Sequence, residues 1–123
     1  KSIAGFTIEA VPAYNLNEAK GHPRAMGWVG YIITVDGIRV YHAGDTAHIP
    51  EMKTLACDIA LLPLGQLYTM QSVEDAAQAA LDVRAGIAIP IHYGSYEGTE
   101  NDAYRFKELL AGKVRVIIKK KER

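Results

Sequence analysis

Ile38-Arg39-Val40-Tyr41-His42-Ala43-Gly44-Asp45-Thr46 is the stretch on which the fold turns. Its first five residues are rich in β-branched and aromatic side chains and read as a strand. Gly44-Asp45-Thr46 follows directly, so an acidic side chain stands just past a strand end, held by the strand and facing open space. Gly44 lets the backbone turn sharply there. Upstream, Val29–Val35 is a near-continuous apolar run of strand length. Only Asp36-Gly37 separates it from Ile38. An Asp-Gly pair between two β-rich runs predicts an antiparallel hairpin.

Working outward, residues 6–11 read as a further strand. Residues 14–27 mix Asn, Gly, Pro and charge without a period and read as a long loop, a length often given to function. Pro50 suits the first turn of a short helix through Leu55. Residues 58–63 and Ile87–Ile91 are apolar runs of strand length. Between them, Ser72 caps a helix with Asp75 at the reciprocal position. Val73, Ala76, Ala77, Ala80 and Leu81 share its inner face, and Gly86 ends it. Asn101 is expected to cap a last helix with Ala103, Phe106 and Leu110 inside and Gly112 after its end. Residues 114–118 close the chain as a strand. Antiparallel β first, then alternating α and β, predicts an α/β (or α+β) class with a mixed sheet flanked by helices. We find no linker or repeat and expect residues 1–123 to form a single unit.

Composition fits an ordinary globular protein: 49% hydrophobic, 23% charged, zero formal net charge. No nucleic-acid or membrane partner is expected from it, and the Lys119-Lys120-Lys121 run reads as a solvated tail. No apolar stretch is long enough to span a membrane. The one cysteine, Cys57, lies among apolar residues and reads as a buried, inert thiol. It fits a reducing compartment, so a cytoplasmic location is expected. A start at Lys1 rather than Met leads us to expect a truncated chain.

Two elements could carry chemistry. Asp45 is one; Pro90-Ile91-His92-Tyr93-Gly94, also at an apolar strand end, is the other. Parallel strands end at one sheet edge, so Asp45 and His92 can converge there. A carboxylate and a neutral imidazole suit Zn²⁺ or a similar first-row ion. Alone, each has a plainer account: a turn in which Asp45 bonds local backbone, and a histidine satisfied by its surroundings. His22, on the long loop, could fold over the same edge or stay in solvent. His42 shares a face with Ile38 and Val40 and reads as a core or supporting residue rather than a ligand. Thr46, His48, Tyr68 and Tyr93 are further candidates for the pocket. For His48 a helix-entry role competes, and for the tyrosines, like Tyr14, plain aromatic packing does.

The ordered set Gly30-Tyr31, Tyr41 to Thr46, Pro50-Glu51-Met52, Asp58 to Pro63, Tyr68-Thr69-Met70, Glu74 to Ala77 and Ile89 to Gly94 resembles the metallo-β-lactamase superfamily. Within it, the chain is similar to the metal-dependent hydrolases of the ascorbate-phosphate lactonase-like branch. The resemblance implies half of an αββα sandwich and a one- or two-metal site, zinc in most members, manganese or iron in some. It implies that Asp45 is the bridging acidic ligand and a catalytic residue, and that His92 is the last histidine ligand. His22 is the available match to the family's loop histidine, which in many relatives follows soon after a Val-Pro-Ala-Tyr segment; here Asn15 stands there. The family's first signature, H-x-H-x-D-H, has no counterpart among His22, His42, His48 and His92. The expectation is therefore the C-terminal half of a metal-dependent hydrolase, with metal-activated water attacking an ester, lactone, phosphodiester or lactam, and no activity in this chain alone. The alternative is a non-catalytic half-domain that homodimerises or pairs with an N-terminal half, with or without a bound metal ion.

Overall fold

The computed structural model describes residues 1–120. Seven strands form one sheet in chain order: β1 (Ser2–Ile3), β2 (Phe6–Pro12), β3 (Val29–Val35), β4 (Ile38–His42), β5 (Ile59–Pro63), β6 (Ile87–Ile91) and β7 (Arg115–Val116). β1 to β4 pair antiparallel. β4 to β7 pair parallel. Helices α1 (Val73–Asp82) and α2 (Glu100–Leu109) supply the crossovers between β5 and β6 and between β6 and β7. The α/β class and the mixed sheet flanked by helices are as the sequence predicts.

The register explains which side chains are inside. Ile32 stands opposite Tyr41, Tyr41 beside Ala60, Ala60 beside Ala88 and Ala88 beside Val116. This row is buried and packs with Ala76, Ala80, Ala103 and Phe106 of the helices in one core. The small residues at Ala60 and Ala88 let α1 lie close on the sheet. The alternate row, Ile33, Val40, Ile59 and Ile87, points to the other face and is only partly covered. Tyr31, Leu61 and Ile89 extend that apolar face.

The hairpin forms at Asp36-Gly37, with φ of 49° and 80°. Two positive φ values match the twist of the flanking strands. Four details differ from the sequence expectations. A short β1 precedes β2 through an Ala4-Gly5 turn of positive φ, a turn that Ala-Gly does not advertise. Helix α2 is capped by Thr99, not Asn101: Thr99 Oγ1 accepts from Asp102 N (3.2 Å) and Asp102 Oδ2 accepts from Thr99 N (2.6 Å). This reciprocal pair outweighs a lone Asn. Helix α1 ends at Asp82, and Arg84, not Gly86, takes the left-handed conformation at φ 56°. Gly86 N already donates to Asp58 O at 3.0 Å, drawn into β6 by parallel pairing. The last strand keeps only Arg115–Val116, because its partner register covers Ile87 and Ala88 alone. Of the expected lysine tail, Lys119 and Lys120 are exposed and Lys121 lies outside the described residues.

Candidate metal centre

β4, β5 and β6 run parallel, so the loops after His42, Pro63 and Ile91 open at one edge. β2 runs in the same direction, two antiparallel steps away, and brings the 13–28 loop to that edge. Gly30 makes the approach possible: a Cβ there would lie 2.6 Å from His42 O and 2.8 Å from Ala43 O. Gly44, at φ 68°, turns the chain outward to Asp45.

Thr46 bolts the Asp45 loop to the 13–28 loop. Its fully buried hydroxyl accepts from Tyr14 N (3.1 Å), and its proton serves Tyr14 O (3.1 Å) or Ala47 O (2.9 Å). Ala47 N donates to Tyr14 O at 2.9 Å. Tyr14 OH donates to Glu51, and Arg24 stacks over the Tyr14 ring while pairing with Glu51. Burial, then the Glu51 bond, raises the Tyr14 phenol above its ordinary range.

Asp45 is half exposed, and its two oxygens face two different histidines. His22 Nε2 is 3.7 Å from Oδ2, and His92 Nε2 is 3.7 Å from Oδ1. Both histidines are left-handed, at φ 53° and 59°. Such backbone costs about 1–2 kcal/mol in a residue with a Cβ, and strain of this kind gathers at functional sites. His22 is held by Trp28, edge-on at 5.2 Å, and its carbonyl accepts from Asn15 N (2.8 Å). Buried Asn15 gives its amide hydrogens to Tyr68 O (2.7 Å) and Gly21 O (2.9 Å), with His22 Nδ1 at 3.5 Å.

Glu97, which sequence reasoning missed, enters beside His92. Its buried Oε1 lies 2.9 Å from His92 Nε2, an ion-pair distance without hydrogen-bond alignment, so Oε1 has no hydrogen-bond partner. Nothing in Tyr96-Glu97-Gly98 alone signals this; only the packed loops bring it there.

The remaining candidates divide. His42 is exposed, not in the core, and its Nδ1 accepts from Gly44 N at 3.1 Å, bracing the turn into Asp45. His48 Nε2 is engaged by Asp82 Oδ2 at 2.6 Å and is not brought to Asp45. Tyr68 is exposed on the loop whose backbone Asn15 grips. Tyr93 OH reaches Lys119 O at 3.4 Å, and burial, followed by the charge of Glu100, raises its phenol. Cys57 is buried, and desolvation pushes its thiol up to about 11, which removes it as a nucleophile.

Two imidazole nitrogens and a carboxylate that offers one oxygen to each are chemically suited to a first-row divalent ion. Unpartnered Glu97 Oε1 adds a further anionic donor beside them. Among the described residues, however, no three His, Cys, Asp or Glu side chains are grouped so as to hold an ion by themselves.

Comparison with known proteins gives the family. Residues 2–93 match the profile of the β-lactamase superfamily domain. A UPF0173 metal-dependent hydrolase of Methanosphaerula palustris is 38% identical over 89% of this chain and 53% of its own length. A crystal structure from Parabacteroides distasonis, named for a metal-dependent hydrolase, is 46% identical with a TM-score of 0.85, covering 98% of this chain and 54% of that one. Igni18, a metallo hydrolase of Ignicoccus hospitalis, is 30% identical with a TM-score of 0.73, over 94% of this chain and 50% of that one. The chain thus spans about half the length of the relatives it matches. Profile, relatives and fold together make this chain a member of the β-lactamase superfamily, with the metallo-β-lactamase fold.

Proposed function

We propose that this chain supplies the Asp45, His22 and His92 side of the metal centre of a hydrolase. The observation that carries the proposal is the division of Asp45: one oxygen to each of two strained histidines from separate loops. A divalent ion, zinc by preference and manganese or iron as alternatives, would acidify water and polarise the bond to be cleaved. Asp45 would hold the ion and orient the attacking water; His22 and His92 would fix the ion against the sheet edge. His42 braces the turn that presents Asp45. Exposed Tyr68 would meet a small-molecule substrate, an ester, lactone, phosphodiester or lactam.

Ligands absent from the described residues would come from the part of the relatives that this chain does not span, so the chain alone would turn over nothing. The test is a panel of those four substrate types with Zn²⁺ or Mn²⁺, run on a protein that carries both parts. Metal-dependent turnover abolished by Asp45→Ala is expected. An Asp45→Ala variant as active as its parent would sink the reading.

A second reading rests on the partly covered face through Ile33, Val40, Ile59 and Ile87. An apolar sheet face of this kind seeks a partner, either the other half of the sandwich or a second copy in a two-fold dimer. Light scattering on this chain decides: a stable monomer contradicts the second reading. No helix among the described residues is long and apolar enough to cross a membrane. A cytoplasmic location, suggested by the single reduced cysteine, belongs to the proposal.

A further inference from the structure

Glu97 is buried in a loop that returns on itself, where Gly94 N donates to Gly98 O at 3.2 Å. Its Oε2 accepts from Leu67 N (2.8 Å) and Tyr68 N (3.0 Å). Tyr68 O in turn accepts from Asn15, so the peptide units that hold the carboxylate are themselves held. The 65–69 loop that supplies those peptide units is closed by Thr69 Oγ1 donating to Gly65 O at 2.6 Å. Gly65 provides the space: a Cβ there would lie 2.0 Å from the Glu97 carboxyl carbon. The carboxylate therefore cannot turn, and its second oxygen, without a hydrogen-bond partner, faces His92 Nε2 at 2.9 Å. A buried polar oxygen left unpaired costs about 1–3 kcal/mol or more when charged, so something must repay that placement. The group it faces is the nitrogen that also faces Asp45.

We propose that Glu97 is a positioning residue for His92, a fixed acceptor for Nε2–H that sets the ring's orientation and tautomer in the metal-free chain. With no ion present, a modest rotation of the imidazole aligns Nε2–H on Oε1 and leaves Nδ1 bare. An ion ligated by Nε2 would require that proton on Nδ1, so this role belongs to the metal-free chain and does not rest on the proposed metal centre.

Glu97→Gln tests this role. The Leu67 and Tyr68 N–H groups require an acceptor, so the Gln carbonyl takes the place of Oε2. Its NH₂ then faces His92, where an Nε2–H would meet another N–H. The expected result is a tautomer switch, read by nitrogen-15 NMR of the metal-free chain in mildly alkaline solution, where free imidazole is neutral. His92 carries its proton on Nε2 in the wild type and on Nδ1 in Glu97→Gln. A wild-type His92 protonated on Nδ1, or the same tautomer in both proteins, overturns the proposal whether or not the variant folds as well as its parent.

Discussion

Asp45 and Thr46 are neighbours in sequence with opposite duties. The Asp45 side chain is half exposed and touches its histidines only at 3.7 Å. Thr46 is sealed in and satisfies the Tyr14 backbone. Asp45→Ala is therefore expected to leave the urea midpoint of the chain within error, since surface changes away from packed features move stability by less than about 0.5 kcal/mol. Thr46→Val keeps the shape but strands a buried N–H, and is expected to cost about 1–3 kcal/mol in the same measurement. His22→Gly should move the other way: it relieves a left-handed φ of 53° and gains up to about 1 kcal/mol, while losing the imidazole. Asp45 and His92 were legible because each directly follows a strand of recognisable composition. Asn15 and Glu97 were not. Both are tied to backbone groups of the 65–69 loop, more than 25 residues away, and no local pattern encodes that meeting.

Elements formed where local chemistry was unambiguous and moved where two signals competed. Val29–Val35, Ile38–His42 and Ile87–Ile91 fall on the expected bounds, because apolar β-formers and an Asp-Gly turn agree there. At α2, Thr99 and Asn101 both offer a cap, and the reciprocal Thr99–Asp102 pair prevails. Thr99→Ala is expected to cost about 1 kcal/mol of stability and Asn101→Ala none, as read by thermal melts. At α1, Asp82 bonds His48 across the fold and Gln78 within the helix. Burial alone would raise its carboxyl; the Gln78 and His48 bonds, with the charges of His48 and Lys53, outweigh that and lower it. A folded-state value below the unfolded one stabilises the protein above the ordinary carboxylate range near pH 4. That stability is lost as pH falls through the folded value. Denaturant midpoints taken from about pH 6 down to about pH 3 should therefore fall less steeply in Asp82→Asn than in the parent.

For the whole molecule the decisive feature is the asymmetry of the sheet. One face carries Ile32, Tyr41, Ala60 and Ala88 under two helices; the other carries Ile33, Val40, Ile59, Leu61 and Ile89, partly open. If that face joins two copies, Leu61→Glu should shift the chain from dimer to monomer in light scattering with little loss of helix signal, since the helices pack on the opposite side. By itself the sequence determined the strands, the hairpin, the α/β alternation and two strand-end residues fit for a metal, because period, turn chemistry and composition are local properties. Only the tertiary structure decided that β2 and β4 through β6 open at one edge, and that Asp45 stands between His22 and His92. The loops that place Asn15 and Glu97 behind those histidines were likewise settled only there. Strand direction, register and loop packing are set by contacts between residues far apart in the chain, and those contacts bring a recognisable pair of strand ends, with His22, together at one sheet edge.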